Sequence, residues 1–364
     1  MKIKKPLVLG VVAGLALSTA AVVTPAFADP VSGSYVAVGS DTLDSSMNAL
    51  ANGTSISGAS VRIKAGGAAI GSFDAFGSAT IQTKSGGPYF TRPSGSGEGV
   101  NALIASIRGT GYKGVDITGQ VDIARSSSGP GSNANASGKL IYVPYARDAV
   151  AYAYYPDPAH PSDLANLTTA QLKDLYTNGS TTIGSTVVTP LIPQASSGTR
   201  KFFLSTIGVS TDATCPIAAC TTSTLPENDA SQLTAVGQII PFSAANWIAQ
   251  ANHAAQNTIP ASGAVALGAP NSVAAFTGSG TNLVPSTTFY NSSYGRDTYL
   301  VVEYARIDPS SGTYDSTLAG LVDSSSANSL TNFSATLPSQ PGSVKKKYGF
   351  LAPSTTTPQR AYTW

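Results

Sequence analysis

Charge is scarce in this chain: only 11% of its 364 residues are Asp, Glu, Lys or Arg, against about 25% in an average domain. Basic and acidic residues nearly balance, 21 against 19, which gives no support to nucleic-acid binding or a polybasic membrane contact. Histidine is nearly absent too, with His160 and His253 alone, and this leaves little for His-based metal or acid–base chemistry. Cysteine is limited to Cys215 and Cys220 in "CPIAAC". In an oxidising exterior that pair reads as a local disulfide. No His or further Cys lies near it, so no metal site and no cofactor are expected.

One apolar run stands out, from about Leu7 to Val23. Lys2, Lys4 and Lys5 precede it and Ala26-Phe27-Ala28 follows, the pattern of a signal peptide over 1–28 with Asp29 as the mature N-terminus. It is short for a membrane span, and no cysteine lies at the cut to carry a lipid. The expectation is a secreted or cell-envelope protein. Removing the three lysines leaves 18 basic and 19 acidic residues, so the formal charge of +2 becomes about −1.

What remains is long enough for two domains or one large one. Short β-rich runs alternate with candidate helices, which predicts an α/β fold. "SYVAVGS" (34–40) reads as a strand, followed by a helix over Asp41–Gly53 that Asp41 or Thr42 would cap. "GVNALIASIRG" (99–109) places Val100, Leu103, Ile104 and Ile107 on one helical face. "VDIARSSSGP" (121–130) is a strand running into a polar turn, and 139–156 is a long extended stretch. A helix is predicted from about Thr169, a strand over 186–194, and a turn and helix in "SSGTRKFFLSTIG". A second long strand is expected over 298–308.

Three of these strands end in small hydroxyl and glycine residues that lead into a helix: "VGSDT" (38–42), "GSGEG" (95–99) and "SSGT" (196–199). "ARSSSG" (124–129) is a fourth such turn without a clear helix. Backbone N–H groups at helix N-termini, with Ser and Thr hydroxyls beside them, are suited to holding anions. In open α/β sheets such turns gather at the carboxyl ends of the strands.

In this order, "VGSDT", "GSGEGVNAL", "VDIARSSSGP", "LTTAQLKDLY" and "SSGTRKFF" resemble the substrate-binding proteins of phosphate-type ABC importers. The likeness covers roughly Ser34 to Phe203. It implies a type II periplasmic-binding-protein fold: two lobes, each a mixed sheet flanked by helices, joined by two crossing strands. Those strands fall at 141–156 and 298–306. Lobe I is then 29–145 with 300–364, and lobe II 146–299. The implied ligand is a small oxyanion, phosphate foremost, with an ABC permease as partner, a monomeric receptor and no catalysis.

Carried over by position, the resemblance makes Ser96 a donor, with Gly97 letting the backbone approach. Ser197, Gly198 and Thr199 correspond to the family's Ser-Gly-Thr anion loop. Asp41 and Thr42 lie in the first loop, and Ser126 and Ser127 in the third. Two departures stand out. The family's proton-accepting aspartate falls on Ser127, and its arginine falls on Pro193. Asp41 is expected to replace the acceptor, and Arg125 or Arg200 the cation. Glu98, where the family has glycine, places a negative charge near the site that the resemblance does not explain.

Other readings compete. Asp41 and Thr42 are also ordinary helix caps, Arg125 an ordinary strand-end ion pair, and Arg200 an arginine lying over the core edge. A secreted serine hydrolase is the first alternative, but G-x-S-x-G is absent and both histidines lie in unpromising contexts. A Ser/Thr-rich cell-surface structural or adhesive protein is the second. "GSGEG" lacks the lysine of a nucleotide loop.

Overall fold

The computed structural model describes residues 29–30, 33–210, 223–261 and 263–364. The expected signal peptide and the expected Cys215–Cys220 bridge lie outside the described residues. A ten-stranded mixed sheet forms the backbone of the molecule. Its principal strands are β1 (Tyr35–Gly39), β2 (Ile70–Ser72), β3 (Ile123–Ser126), β4 (Leu140–Tyr154), β5 (Thr181–Ile183), β6 (Thr186–Pro190), β7 (Gln238–Ser243) and β8 (Gly295–Glu303). They lie in the order β2-β1-β3-β8-β4-β7-β6-β5.

The long strands explain how one sheet serves two lobes. The first ten residues of β4, Leu140–Ala149, run against β8, and Val150–Tyr154 run against β7. At about 3.3 Å per residue, the 15 residues of β4 extend about 50 Å, enough to cross from one half of the molecule into the other. β1 is parallel to β2 and β3, and β6 is parallel to β7. Parallel strands bury both faces, and the alternation of side chains distributes them accordingly. Val36, Val38 and Val301 join one core with Leu103, while Ala37, Leu300 and Val302 join another with Leu50. The second half repeats this, with Tyr152, Leu175 and Phe203 on one side and Ile240, Phe242 and Trp247 on the other.

The helices that matter for the site are α1 (Asp44–Asn52), α2 (Ser96–Arg108), α3 (Thr169–Asn178), α4 (Gly198–Thr206) and α5 (Ala244–Ala251). Helix α3 begins where the sequence places it, closed by a reciprocal capping box between Thr168 and Gln171. α2 starts three residues earlier than its apolar pattern implies, so Ser96 and Gly97 are helical. The first predicted helix is corrected: Asp41–Leu43 form a separate 3₁₀ turn, and neither Asp41 nor Thr42 caps α1. The second long strand also begins earlier than expected, at Gly295, and turns helical at Tyr304. Among the described residues no helix is long and apolar enough to cross a membrane.

Candidate anion-binding site

β1, β3, β6 and β7 all point their carboxyl ends at the crease where β4 and β8 pass between the halves. The turns that follow them meet there. Ser96 Oγ lies 3.1 Å from Ser127 Oγ and accepts from the Ser127 N–H at 3.0 Å. From the other half, the turn before α4 closes on this pair. Gly97 N–H donates to the Ser196 carbonyl at 3.2 Å, and Ser196 Oγ donates to the Ser94 carbonyl at 2.8 Å. A side chain at Gly198 would displace its neighbours, because a Cβ would sit 2.3 Å from Ser127 Oγ and 2.5 Å from Ser96 Oγ. Asn246 Nδ2 reaches across to the Thr42 carbonyl at 3.0 Å. The cleft is therefore closed, with Ser96, Ser127, Thr42, Ser197 and Thr199 all buried at its centre.

A buried cation at this crease is Arg296, on β8. Its Nη2 donates to Asp148 Oδ2 at 2.8 Å, to Thr199 Oγ1 at 2.9 Å and to Thr42 Oγ1 at 3.3 Å. It thus touches the first loop of one half and the Ser-Gly-Thr loop of the other. The side chain is almost wholly buried, and its Nη1 has no hydrogen-bond partner. Leaving a charged donor buried and unpaired costs more than about 1–3 kcal/mol. A buried guanidinium with one unpaired nitrogen, whose other nitrogen meets hydroxyl-rich turns, is an arrangement that an oxyanion can complete.

Asp148 holds Arg296 in position. On β4 it stands directly opposite Arg296, and Arg147 stands opposite Asp297. Asp148 is fully buried and saturated: Oδ2 takes Arg296 Nε and Nη2, and Oδ1 takes Ser243 Oγ at 2.9 Å and the Ala245 N–H at 3.0 Å. Its second oxygen thus lies at the N-terminus of α5, where the helix dipole favours negative charge.

A second carboxylate occupies the N-terminus of α4. Glu227 Oε2 accepts from Ser197 Oγ at 2.5 Å and from the Thr199 N–H at 3.1 Å. Ser197 also caps α4, its oxygen accepting from the Arg200 N–H at 3.0 Å. Next to Glu227, Asn228 donates to Asp41 Oδ1 at 3.0 Å and accepts from the Ser243 N–H at 2.9 Å. Burial first, then the charge of Glu227, pushes the Asp41 carboxyl well above the ordinary carboxylate range.

The two arginines proposed from sequence are committed elsewhere. Arg125 is fully buried and ion-paired with Asp44, and it donates to Ser72 Oγ at 2.7 Å, to the Phe73 carbonyl at 2.5 Å and to the Ser40 carbonyl at 3.2 Å. It ties β3 to the first loop from behind. Arg200 is buried as well and donates to the Pro193 carbonyl at 3.1 Å. Ser126 turns to its own chain, donating to the Ser128 carbonyl at 2.7 Å. Glu98 also finds its explanation: it bends back to accept from the Ser94 N–H at 3.1 Å, from Tyr112 at 3.1 Å and from Lys113 at 2.5 Å. Partial burial opposes its charge, but Lys113 and these donors outweigh that and hold its carboxyl below the usual range.

Sequence reasoning missed Arg296, Asp148, Glu227 and Asn228. A signal existed for the first two, because the Arg-Asp dipeptide occurs in both crossing strands, as "YARDAV" and "YGRDTY". In an antiparallel pair that repeat matches each arginine with the other strand's aspartate. Glu227 and Asn228, in "LPENDA", sit in a loop with no periodicity to mark them. The histidines stay apart: His160 is exposed and pairs with Asp157 at 3.1 Å, and His253 follows the end of α5.

A half-sheet pair, two crossing strands and a polar crease where helix N-termini converge define a two-lobed ligand-binding protein. The chain belongs to the family described as the PBP superfamily domain, which it matches over residues 24–319. No curated protein sequence matches it. Among solved structures it is similar to an ABC-type phosphate transport receptor from Vibrio cholerae, at 17% identity over 88% of this chain and 100% of that one, with a TM-score of 0.49. A phosphate ABC transporter substrate-binding protein from Clostridium perfringens is similar at 16% identity, over 87% and 98% of the two chains, with a TM-score of 0.48. A human phosphate-binding apolipoprotein shares 14% identity over 88% and 91%, also at 0.48.

Proposed function

We propose that this protein is an exported receptor that captures a small tetrahedral oxyanion, phosphate foremost, between its lobes and delivers it to an ABC-type permease. The observation that carries this reading is Arg296: a buried guanidinium with one unpaired edge, touching the anion loops of both halves. Around it, Ser96, Ser127, Ser197, Thr199 and Thr42 offer neutral donors from four turns. Asp41, which burial keeps protonated more readily than an ordinary carboxyl, adds a group able to share a proton with the ligand.

Lobe I comprises 29–145 and 300–364 and lobe II 146–299, with β4 and β8 as the hinge. The receptor acts as a monomer and enters the cell envelope behind its N-terminal signal. Closure removes water from the ion, so each donor acts in a medium of lower dielectric constant.

Thermal-shift screening against phosphate, arsenate, sulfate, molybdate and small organic acids tests the reading. A ligand present at about 1,000 times its Kd stabilises the fold by about 4 kcal/mol. A shift with phosphate is expected. No shift with any oxyanion defeats the proposal.

A further inference from the structure

Two carboxylates of this chain occupy helix N-termini at the crease, and they are not equivalent. Asp148, at α5, uses both oxygens in four hydrogen bonds and faces Arg296 directly. Glu227, at α4, uses one. No N–H or hydroxyl donates to its buried Oε1. Its remaining neighbour is the Asp41 carboxyl, with which Glu227 shares a hydrogen bond that helps raise the Asp41 pKa. One carboxylate is locked; the other is held by half its capacity.

The position Glu227 holds is the anion cradle itself. Ser197 Oγ and the Thr199 N–H, which bind its Oε2, belong to the Ser-Gly-Thr turn that receives the ligand in the function proposed above, on which this inference rests. A planar carboxylate meets these two donors and leaves Arg296 Nη1 unpaired. A tetrahedral anion with four oxygens offers acceptors to both at once.

We propose that Glu227 is a tethered competitor of the bound anion: it fills the cradle of the closed, empty protein, and the ligand displaces it from Ser197 and Thr199. This makes Glu227 a specificity determinant. A free monocarboxylate offers the cradle nothing that Glu227 does not already supply. A group on a short tether acts at an effective concentration of about millimolar or more, so dilute organic acids lose that competition. A tetrahedral oxyanion wins it through the additional contact to Arg296. The neighbouring Asn228, with a left-handed φ of 60° and bonds to Asp41, Ser243 and Gln250, anchors the loop so that the Glu227 side chain alone needs to move.

The test compares wild type, Glu227→Gln and Glu227→Ala by titration calorimetry with inorganic phosphate and by thermal shift with acetate. Glu227→Gln keeps the shape and removes the charge, so it separates competition from loss of packing. Both variants are expected to bind phosphate about tenfold tighter or more, and Glu227→Ala to gain a thermal shift with acetate that wild type lacks. Unchanged or weaker phosphate binding in both variants, with wild type still binding, overturns the competitor role alone. Absence of binding to any oxyanion in all three proteins overturns the oxyanion reading and this inference with it.

Discussion

Arg296 and Asp148 face each other across the two strands that join the lobes, with Nη2 2.8 Å from Oδ2 and both side chains buried. The pair lies at a directly opposed register position, and the same guanidinium nitrogen touches Thr42 and Thr199. The crossing strands and the polar crease therefore share one residue.

Replacing Arg296 tests this link. Arg296→Met leaves Asp148 buried without its cation, which costs about 3–5 kcal/mol of stability, read by urea denaturation. Arg296→Lys restores charge but not the forked geometry. It is expected to recover part of the stability while phosphate affinity stays reduced by about tenfold or more. Full recovery of affinity by lysine would show that charge alone is recognised.

Arg125 is expected to behave oppositely. Its partners are Asp44, Ser40, Ser72 and Phe73, all on the scaffold behind the first loop. Arg125→Met removes the cation from a buried pair and costs about 3–5 kcal/mol. Below the lowered melting temperature, calorimetry is expected to give a phosphate Kd within about threefold of wild type, well under the tenfold that corresponds to 1.4 kcal/mol. A large loss of affinity in folded protein would return Arg125 to the ligand.

Gly198 makes the closed cleft sterically possible. In Gly198→Ala the new methyl carbon meets Ser127 Oγ and Ser96 Oγ at distances that force the two loops apart. Alanine is a good helix residue, but the clash lies in the closed ligand-free form, so the ligand-free melting temperature should fall as well. The phosphate Kd should rise by about tenfold or more, since about 1.4 kcal/mol of lost closure energy suffices. An unaltered Kd would mean that the lobes close less tightly around the ligand than around Glu227.

The closed empty form should respond to pH through Asp41. Burial first, then the charges of Glu227 and Asp44, raises its carboxyl well above the ordinary value, against the opposing hydrogen bond from Asn228. Arg125 is paired with Asp44 and Arg296 with Asp148. A carboxyl whose pKa is higher folded than unfolded binds more protons in the folded state. Its contribution is therefore fullest below the unfolded value of about 4 and is lost as the pH rises through the folded one. Melting temperatures across that window should fall with rising pH more steeply in wild type than in Asp41→Asn. Equal slopes in the two proteins would remove Asp41 from the titration.

Much of the scaffold was legible in the sequence. The alternation of Val36, Ala37 and Val38, the apolar face of α2 and the capping box at Thr168 are local patterns, set by the periods of strand and helix and by cap chemistry. The small-residue turns at Ser96 and Ser197 were readable because only Gly, Ser and Thr let a backbone come this close. Which arginine serves the site was not readable. Arg125, Arg200 and Arg296 all lie next to site elements, and composition does not say which guanidinium has a saturated set of partners. That depends on pairing between strands some 150 residues apart, which fixes Arg296 against Asp148 and leaves one of its edges free. Glu227 is further removed still: an irregular loop with no periodicity brings it to the N-terminus of α4. The sequence by itself determined where the small-residue turns at the crease lie, because their chemistry is local. Tertiary structure decided which charges meet there, because ion pairing is a property of distance in space.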